Sequence, residues 1–286
     1  MTEKECSENC SSCSEKPKST PNTQEKSDIN VKHVILVLSG KGGVGKSTVS
    51  VNLAYALSNH GYQTGLLDLD LHGPSIAKML GIEDLHLQAM GDRIMPIAVT
   101  GSLKVVSIAL LLNETDSPVV WRGPMKAAAT KQFLGEVEWG NLDFLVVDLP
   151  PGTGDEALNI IQYAPNVEGA VIVTTPQDVA ILDSSKAIKF VEMMKLPVLG
   201  VIENMSGMVC PHCGEVIDLF GKGGGEKAAA RYKVPYLGAI PIDIEMRKAG
   251  DEGKPFIIRT PGETNPTWDA VDKVMENLIT VIESRE

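Results

Sequence analysis

Three stretches of this chain carry residue types at spacings that make chemistry available. The stretch GKGGVGKST, residues 40–48, fills the pattern G-x-x-x-x-G-K-[ST] with Gly40, Gly45, Lys46 and Ser47. Glycines at this density let the backbone curl until several N–H groups point inward at phosphate oxygens. The lysine neutralises terminal phosphates, and the Ser47 hydroxyl suits Mg²⁺. The stretch DFLVVDLPPGTGD, residues 143–155, delivers Asp148 at the end of an apolar run, where a carboxylate can hold the same metal. The stretch MVCPHCGE, residues 208–215, sets Cys210 and Cys213 two residues apart, so that two thiolates can face one metal ion. A closed thiolate site normally takes four protein ligands, and this stretch supplies two.

Such groups need elements to hold them. HVILVLS (33–39), TGLLDLD (64–70), DFLVVDL (143–149), GAVIVTT (169–175) and PVLGVIEN (197–204) are apolar on both faces, as parallel strands covered on both sides are. Helical patterns fall between them, near 46–59, 125–136, 179–195 and 225–232. The alternation predicts an α/β fold: a doubly wound, mostly parallel sheet with helices on both faces. Ligands then gather at the carboxyl ends of the strands, which selects Gly40, Asp68, Asp70, Asp148, Thr174 and Asn204. The phosphate loop sits where a P-loop belongs, after a strand and at the start of a helix, with Gly40, Lys41, Gly42, Gly43, Val44, Gly45, Lys46, Ser47 and Thr48 as its nucleotide-binding residues. Asp70 is either a functional carboxylate or the cap of the helix that follows Gly73. FGKGGGEKAAA (220–230) lacks the Gly-Lys-Ser/Thr ending and reads as a flexible linker and helix start.

Residues 1–30 are Ser, Glu, Lys, Pro and Thr with almost no large apolar side chains, a composition that predicts a disordered tail ahead of one domain over 31–286. The tail holds Cys6, Cys10 and Cys13, either loosely held thiols or a second metal site. Five cysteines in two clusters, with nothing that marks secretion, favour metal or redox chemistry over disulfides. A net charge of −11 without a basic block argues against nucleic acid as a partner. No apolar run reaches the roughly 18–20 residues that cross a bilayer, and the expected location is cytoplasmic. In TWDAVDKVMENLITVIESRE, the stripe Trp268, Val271, Met275, Leu278 and Ile282 predicts a helix packed on the sheet. Its acidic polar face speaks against anionic membranes.

Lys41, a second lysine inside the loop, makes KGGVGKS resemble the deviant P-loop of the MinD-like ATPases. That resemblance implies a dimer in which Lys41 reaches the γ-phosphate of ATP on the other subunit. It also makes Lys41, Lys46 and Asp70 the catalytic set, with Asp70 positioning the attacking water. It further implies that Ser47 and Asp148 hold Mg²⁺ and that Asn204 contacts adenine. WRGPMK, DLPPGTGD, IENMSGMVCPHCG and FGKGGGEK together resemble the Mrp/ApbC family of iron–sulfur cluster carrier ATPases, over essentially all of residues 33–286. In that family one [4Fe–4S] cluster bridges two chains, each giving two cysteines, which here are Cys210 and Cys213. The implied function is an ATP-binding and ATP-hydrolysing carrier, a homodimer, that passes its cluster to apo-proteins. The alternative is a spatial-positioning ATPase of the MinD or ParA kind with a structural zinc at CPHC.

Overall fold

The computed structural model describes residues 26–70, 73–111, 123–210, 212–254, 256–257 and 264–285. Its strands are β1 (Val31–Ser39), β2 (Thr64–Asp68), β3 (Gln88–Met90), β4 (Arg93–Met95), β5 (Ile97–Ala98), β6 (Leu103–Ser107), β7 (Leu142–Asp148), β8 (Val167–Thr174), β9 (Val198–Val209), β10 (Val216–Ile217) and β11 (Tyr236–Ile242). Its helices are α1 (Lys46–Asn59), α2 (Ile76–Met79), α3 (Gly123–Gly135), α4 (Asp155–Tyr163), α5 (Asp178–Met193), α6 (Gly224–Tyr232), α7 (Ile244–Asp251) and α8 (Pro266–Glu283).

The central parallel strands run in the order β11-β9-β8-β1-β7-β2-β6. β5 and β10 add short antiparallel partners to β6 and β9, and β3 and β4 form a separate hairpin. Alternation along β1 shows why both faces are covered. Ile35 and Val37 enter a layer with Val49, Leu53 and Leu57 of α1 and Val271, Met275 and Leu278 of α8. Val34, Leu36 and Leu38 enter the other layer with Phe133 of α3, Ile160 of α4 and Ile188 of α5. Successive strand side chains point to opposite faces, so a run that is apolar throughout must be buried twice.

The fold class is the one the sequence predicts, a mostly parallel sheet with helices on both faces. The stripe Trp268, Val271, Met275, Leu278 and Ile282 is buried, with Asn265 capping the start of α8. Among the described residues, no helix is long and apolar enough to cross a membrane.

Three local expectations are corrected. Residues 26–30, assigned to the tail by composition, lie against the sheet: Ile29 is buried and the Ser27 amide donates to the Tyr163 carbonyl at 2.8 Å. One apolar side chain and a backbone hydrogen bond to the end of α4 suffice there. β9 does not stop at Asn204 but runs on to Val209. Met205 (φ 58°) and Gly207 (φ 72°) redirect the strand rather than end it. The stretch 220–230 is a helix start, as expected, since α6 begins at Gly224. It is anchored rather than a free linker: the Gly223 amide donates to Glu203 Oε1 at 3.0 Å, and a Cβ on Gly224, the first residue of α6, would lie 2.1 Å from the Pro176 carbonyl oxygen.

Candidate nucleotide and metal sites

The strand order brings the ends of β1, β2 and β7 side by side. At the end of β1 the chain turns through Gly43 (φ 79°) and Gly45 (φ 78°), both in the left-handed region that favours glycine. A Cβ on Gly45 would stand 2.2 Å from Asn204 Nδ2, and one on Gly40 would stand 2.1 Å from the Asp183 carbonyl oxygen. The loop is therefore fitted to β9 on one side and α5 on the other. Asn204 Nδ2 donates to the Val44 carbonyl at 2.9 Å, which fixes the strand against the loop backbone.

Lys46 opens α1 and turns inward. Its Nζ lies 2.7 Å from Asp148 Oδ2 and 3.7 Å from Asp70 Oδ2. Ser47 Oγ donates to the same Asp148 oxygen at 2.6 Å, and Ser50 Oγ donates to Asp148 Oδ1 at 2.7 Å. Asp148 is fully buried, and a buried carboxyl group is costly without such hydrogen-bond partners. Beside it, register pairing sets Asp68 of β2 opposite Asp148 of β7. Asp68 accepts from the Asp70 amide at 3.0 Å and from Ser107 Oγ at 2.8 Å. Burial, and after it the neighbouring Asp148 carboxylate, push the Asp68 carboxyl up to about 7. The loop after β7 returns to the site, where the Gly152 amide donates to the Ser39 carbonyl at 2.9 Å.

A cavity of about 240 Å³ opens here, lined by Lys41, Gly43, Lys46, Ser47, Asp70 and Pro151 among others. A second, of about 590 Å³, shares Thr48, Ser75 and Met79 with it and is walled by Asn204 and more apolar groups. A compact polar pocket joined to a larger, more apolar one suits a molecule with a polyphosphate at one end and a flat base at the other. The hydroxyl of Ser47 and the carboxylate of Asp148 meet as an all-oxygen pair, which is the donor chemistry of Mg²⁺. The structure brings together Gly40, Lys41, Gly42, Gly43, Val44, Gly45, Lys46, Ser47, Thr48, Asp70, Asp148 and Asn204. The N-cap position of α2 is Ser75, not Asp70. Thr174 instead serves packing: it accepts from Ser184 Oγ at 2.6 Å, within α5. Ser50 and Ser107 were missed. Ser50 had a signal, a small polar residue one helical turn after Ser47; Ser107 ends a short strand with none.

The cysteines stand on the hairpin of β9 and β10. The Cys210 amide donates to the Glu215 carbonyl at 2.8 Å, and the Gly214 amide donates to the Cys210 carbonyl at 2.9 Å. The Cys213 and His212 amides are aimed at the Cys210 sulfur and hold its thiol below the usual range. Amides directed at sulfur are the surroundings a metal-bound thiolate uses. Cys210 is half-buried and Cys213 exposed. Among the described residues, no three His, Cys, Asp or Glu side chains are grouped to hold a metal ion. Val209, Val216, Ile217 and Leu219 around the pair are exposed. Cys6, Cys10 and Cys13 lie outside the described residues.

Fold and loop together define a P-loop ATPase. The sequence matches the ParA group described as NUBPL iron-transfer P-loop NTPase over residues 30–279. It is 53% identical over 228 residues to an iron-sulfur cluster carrier protein of Methanocaldococcus jannaschii, covering 80% of this chain and 79% of the relative. It is 50% identical over 232 residues to a cytosolic Fe-S cluster assembly factor NUBP2 homolog of Nematostella vectensis, covering 79% and 86%. Among solved structures, a nucleotide-binding protein of Archaeoglobus fulgidus in complex with ADP superposes with a TM-score of 0.70 at 40% identity, covering 84% of this chain and 91% of that one. MinD of Aquifex aeolicus shares the fold, with a TM-score of 0.61 at 21% identity over 87% of this chain and 97% of that one. The chain belongs to the iron-transfer P-loop NTPase family.

Proposed function

We propose that this protein is an ATP-driven carrier that holds a [4Fe–4S] cluster between two copies of itself and passes it to apo-proteins in the cytoplasm. The observation that carries this reading is the position of an incomplete thiol pair. Cys210 and Cys213 lie six and nine residues beyond Asn204, which is itself in the nucleotide cavity wall. Two thiolates per chain leave a four-ligand cluster half satisfied, and a two-fold axis beside the hairpin supplies an identical second pair. The exposed apolar rim around the cysteines suits burial against that copy.

In the nucleotide site, Lys46 neutralises the terminal phosphates, while Ser47 and Asp148 hold Mg²⁺ and so give up their direct contact with each other and with Lys46. Asp70 orients the attacking water, and Lys41 reaches across the dimer. Asn204 meets the adenine from the cavity wall. Nucleotide binding changes how the two copies meet and therefore how tightly the shared cluster is held.

Anaerobic reconstitution of protein truncated before residue 26 tests this. The expected product is a dimer with one four-iron cluster per two chains. Monomers each holding a complete cluster overturn the bridging arrangement. Zinc alone, with no iron or sulfide taken up, overturns the carrier reading in favour of a positioning ATPase with a structural zinc.

A further inference from the structure

The nucleotide cavity has a wall residue that the phosphate-loop motif does not predict. Phe220 follows the cysteine hairpin and lines the same cavity of about 590 Å³ as Asn204 and Met205. It is a large apolar side chain left 39% exposed and is one of the residues that line the cavity. Met205, in the left-handed region at φ 58°, lies beside the loop: its Cε would stand 3.5 Å from a Cβ on Gly45. An aromatic ring, a thioether and a carboxamide around a cavity continuous with a polyphosphate pocket are the groups that recognise a flat heteroaromatic base.

Phe220 is also tied to the cysteines. β10, two residues before Leu219, pairs Val216 with Val209 and Ile217 with Met208, the residues that lead into Cys210. The base of this excursion is clamped by one buried carboxylate, Glu203, which is 1% exposed. Glu203 Oε1 accepts from Ser206 Oγ at 2.6 Å as the chain leaves and from the Gly223 amide at 3.0 Å as it returns; Oε2 accepts from the Gly225 amide at 2.6 Å. The glycine-rich start of α6, which resembles a second phosphate loop in sequence, is thus filled by the chain's own carboxylate. With the base clamped, β10 is the segment that links Phe220 to the hairpin tip.

We propose that Phe220 contacts the base of the bound nucleotide and that, through β10, the same contact sets the arrangement of Cys210 and Cys213 within one chain. This deepens the ATP reading above and rests on it. By linkage, a nucleotide that moves the cysteines must have its own affinity altered by what they hold.

The experiment uses the full chain with no cluster or zinc on its cysteines. Affinities for MgATP and for Mg-tripolyphosphate are measured by calorimetry in wild type, Phe220→Ala and Phe220→Trp. Phe220→Ala is expected to lower ATP affinity about tenfold while tripolyphosphate affinity changes less than about twofold, and Phe220→Trp to recover most of the loss. In parallel, alkylation rates of Cys210 and Cys213 are read peptide by peptide with and without ATP. ATP is expected to change the wild-type rates by about threefold or more and the Phe220→Ala rates hardly at all. An ATP-over-tripolyphosphate preference that survives in Phe220→Ala overturns the base contact. Wild-type rates that ignore ATP, or a Phe220→Ala response equal to wild type, overturn the coupling. Wild type that binds neither ligand refutes the nucleotide reading itself, a result distinct from any difference between variants, and the inference falls with it.

Discussion

The phosphate loop and the cysteine hairpin are joined by β9 yet differ in how much of each site one chain supplies. At the loop, a lysine and two serines from α1 converge on a single buried Asp148, and Asp68 is held in turn by Ser107 and the Asp70 amide. At the hairpin, the same chain presents two thiols near solvent and, among its described residues, no third ligand grouped with them. A pre-assembled polar network suits a ligand that must be bound and aligned repeatedly. A half-built metal site suits cargo in the dimer proposed above, because what one chain cannot hold alone would be released when its partner moves. The comparison therefore divides the molecule into a site that works and a site that is worked upon.

The sharpest way to break this division is at the hairpin. Cys210→Ala or Cys213→Ala should abolish the broad absorption near roughly 400 nm of the reconstituted cluster. Compared with wild type free of cluster, ATP affinity should stay within about twofold, since Lys46 and Ser47 lie on α1 and not on β10. Nucleotide binding that disappears with the thiols would mean the two regions form one site.

The converse substitution acts at the loop. Lys46→Ala should weaken ATP binding about a thousandfold, from two charge-assisted contacts of roughly 1.5–3 kcal/mol each. It should also destabilise the free protein by about 3–5 kcal/mol, because Asp148 loses the cation beside it in a buried position. Calorimetric titration and a urea midpoint read the two effects separately. A loss of affinity without a loss of stability would show that the Lys46–Asp148 contact contributes nothing to the fold.

Asp70→Ala sharpens the loop side. A residue that orients water acts mainly in the transition state, so kcat should fall about 100-fold while KM changes by a few fold at most. Steady-state hydrolysis is the measurement, and unchanged turnover would leave Asp70 as a charge near Lys46 only. Removal of residues 1–25 should have the smallest effect, with hydrolysis within about twofold of the full chain. Iron analysis of that protein decides whether Cys6, Cys10 and Cys13 hold a second cluster, since a fall of four irons per chain would require one.

Local pattern made much of this legible. A strand buried on both faces is apolar along its covered stretch, so the runs VILVL, FLVV and AVIV announce β1, β7 and β8. The phosphate loop is legible because its conformation is enforced by its own glycines. β6 and β11 were not legible: LKVVS is short and carries a lysine, and YLGAIPI is broken by Gly238 and Pro241. Pro241 is tolerated because β11 lies beside β9 alone, at the edge.

What the sequence by itself determined is the chemistry available: a loop that can only curl around anions, a carboxylate at the end of a buried run, and two thiols at metal spacing. Each follows from residues adjacent in the chain, whose conformations are set by short-range sterics. What only the tertiary structure decided is which of these meet. Asp68 faces Asp148 because β2 pairs with β7, Ser107 reaches them because β6 pairs with β2, and Phe220 stands with Asn204 because Glu203 closes the base of the hairpin. Strand order is settled by burying both faces of the whole sheet at once, and no local stretch of sequence contains that constraint.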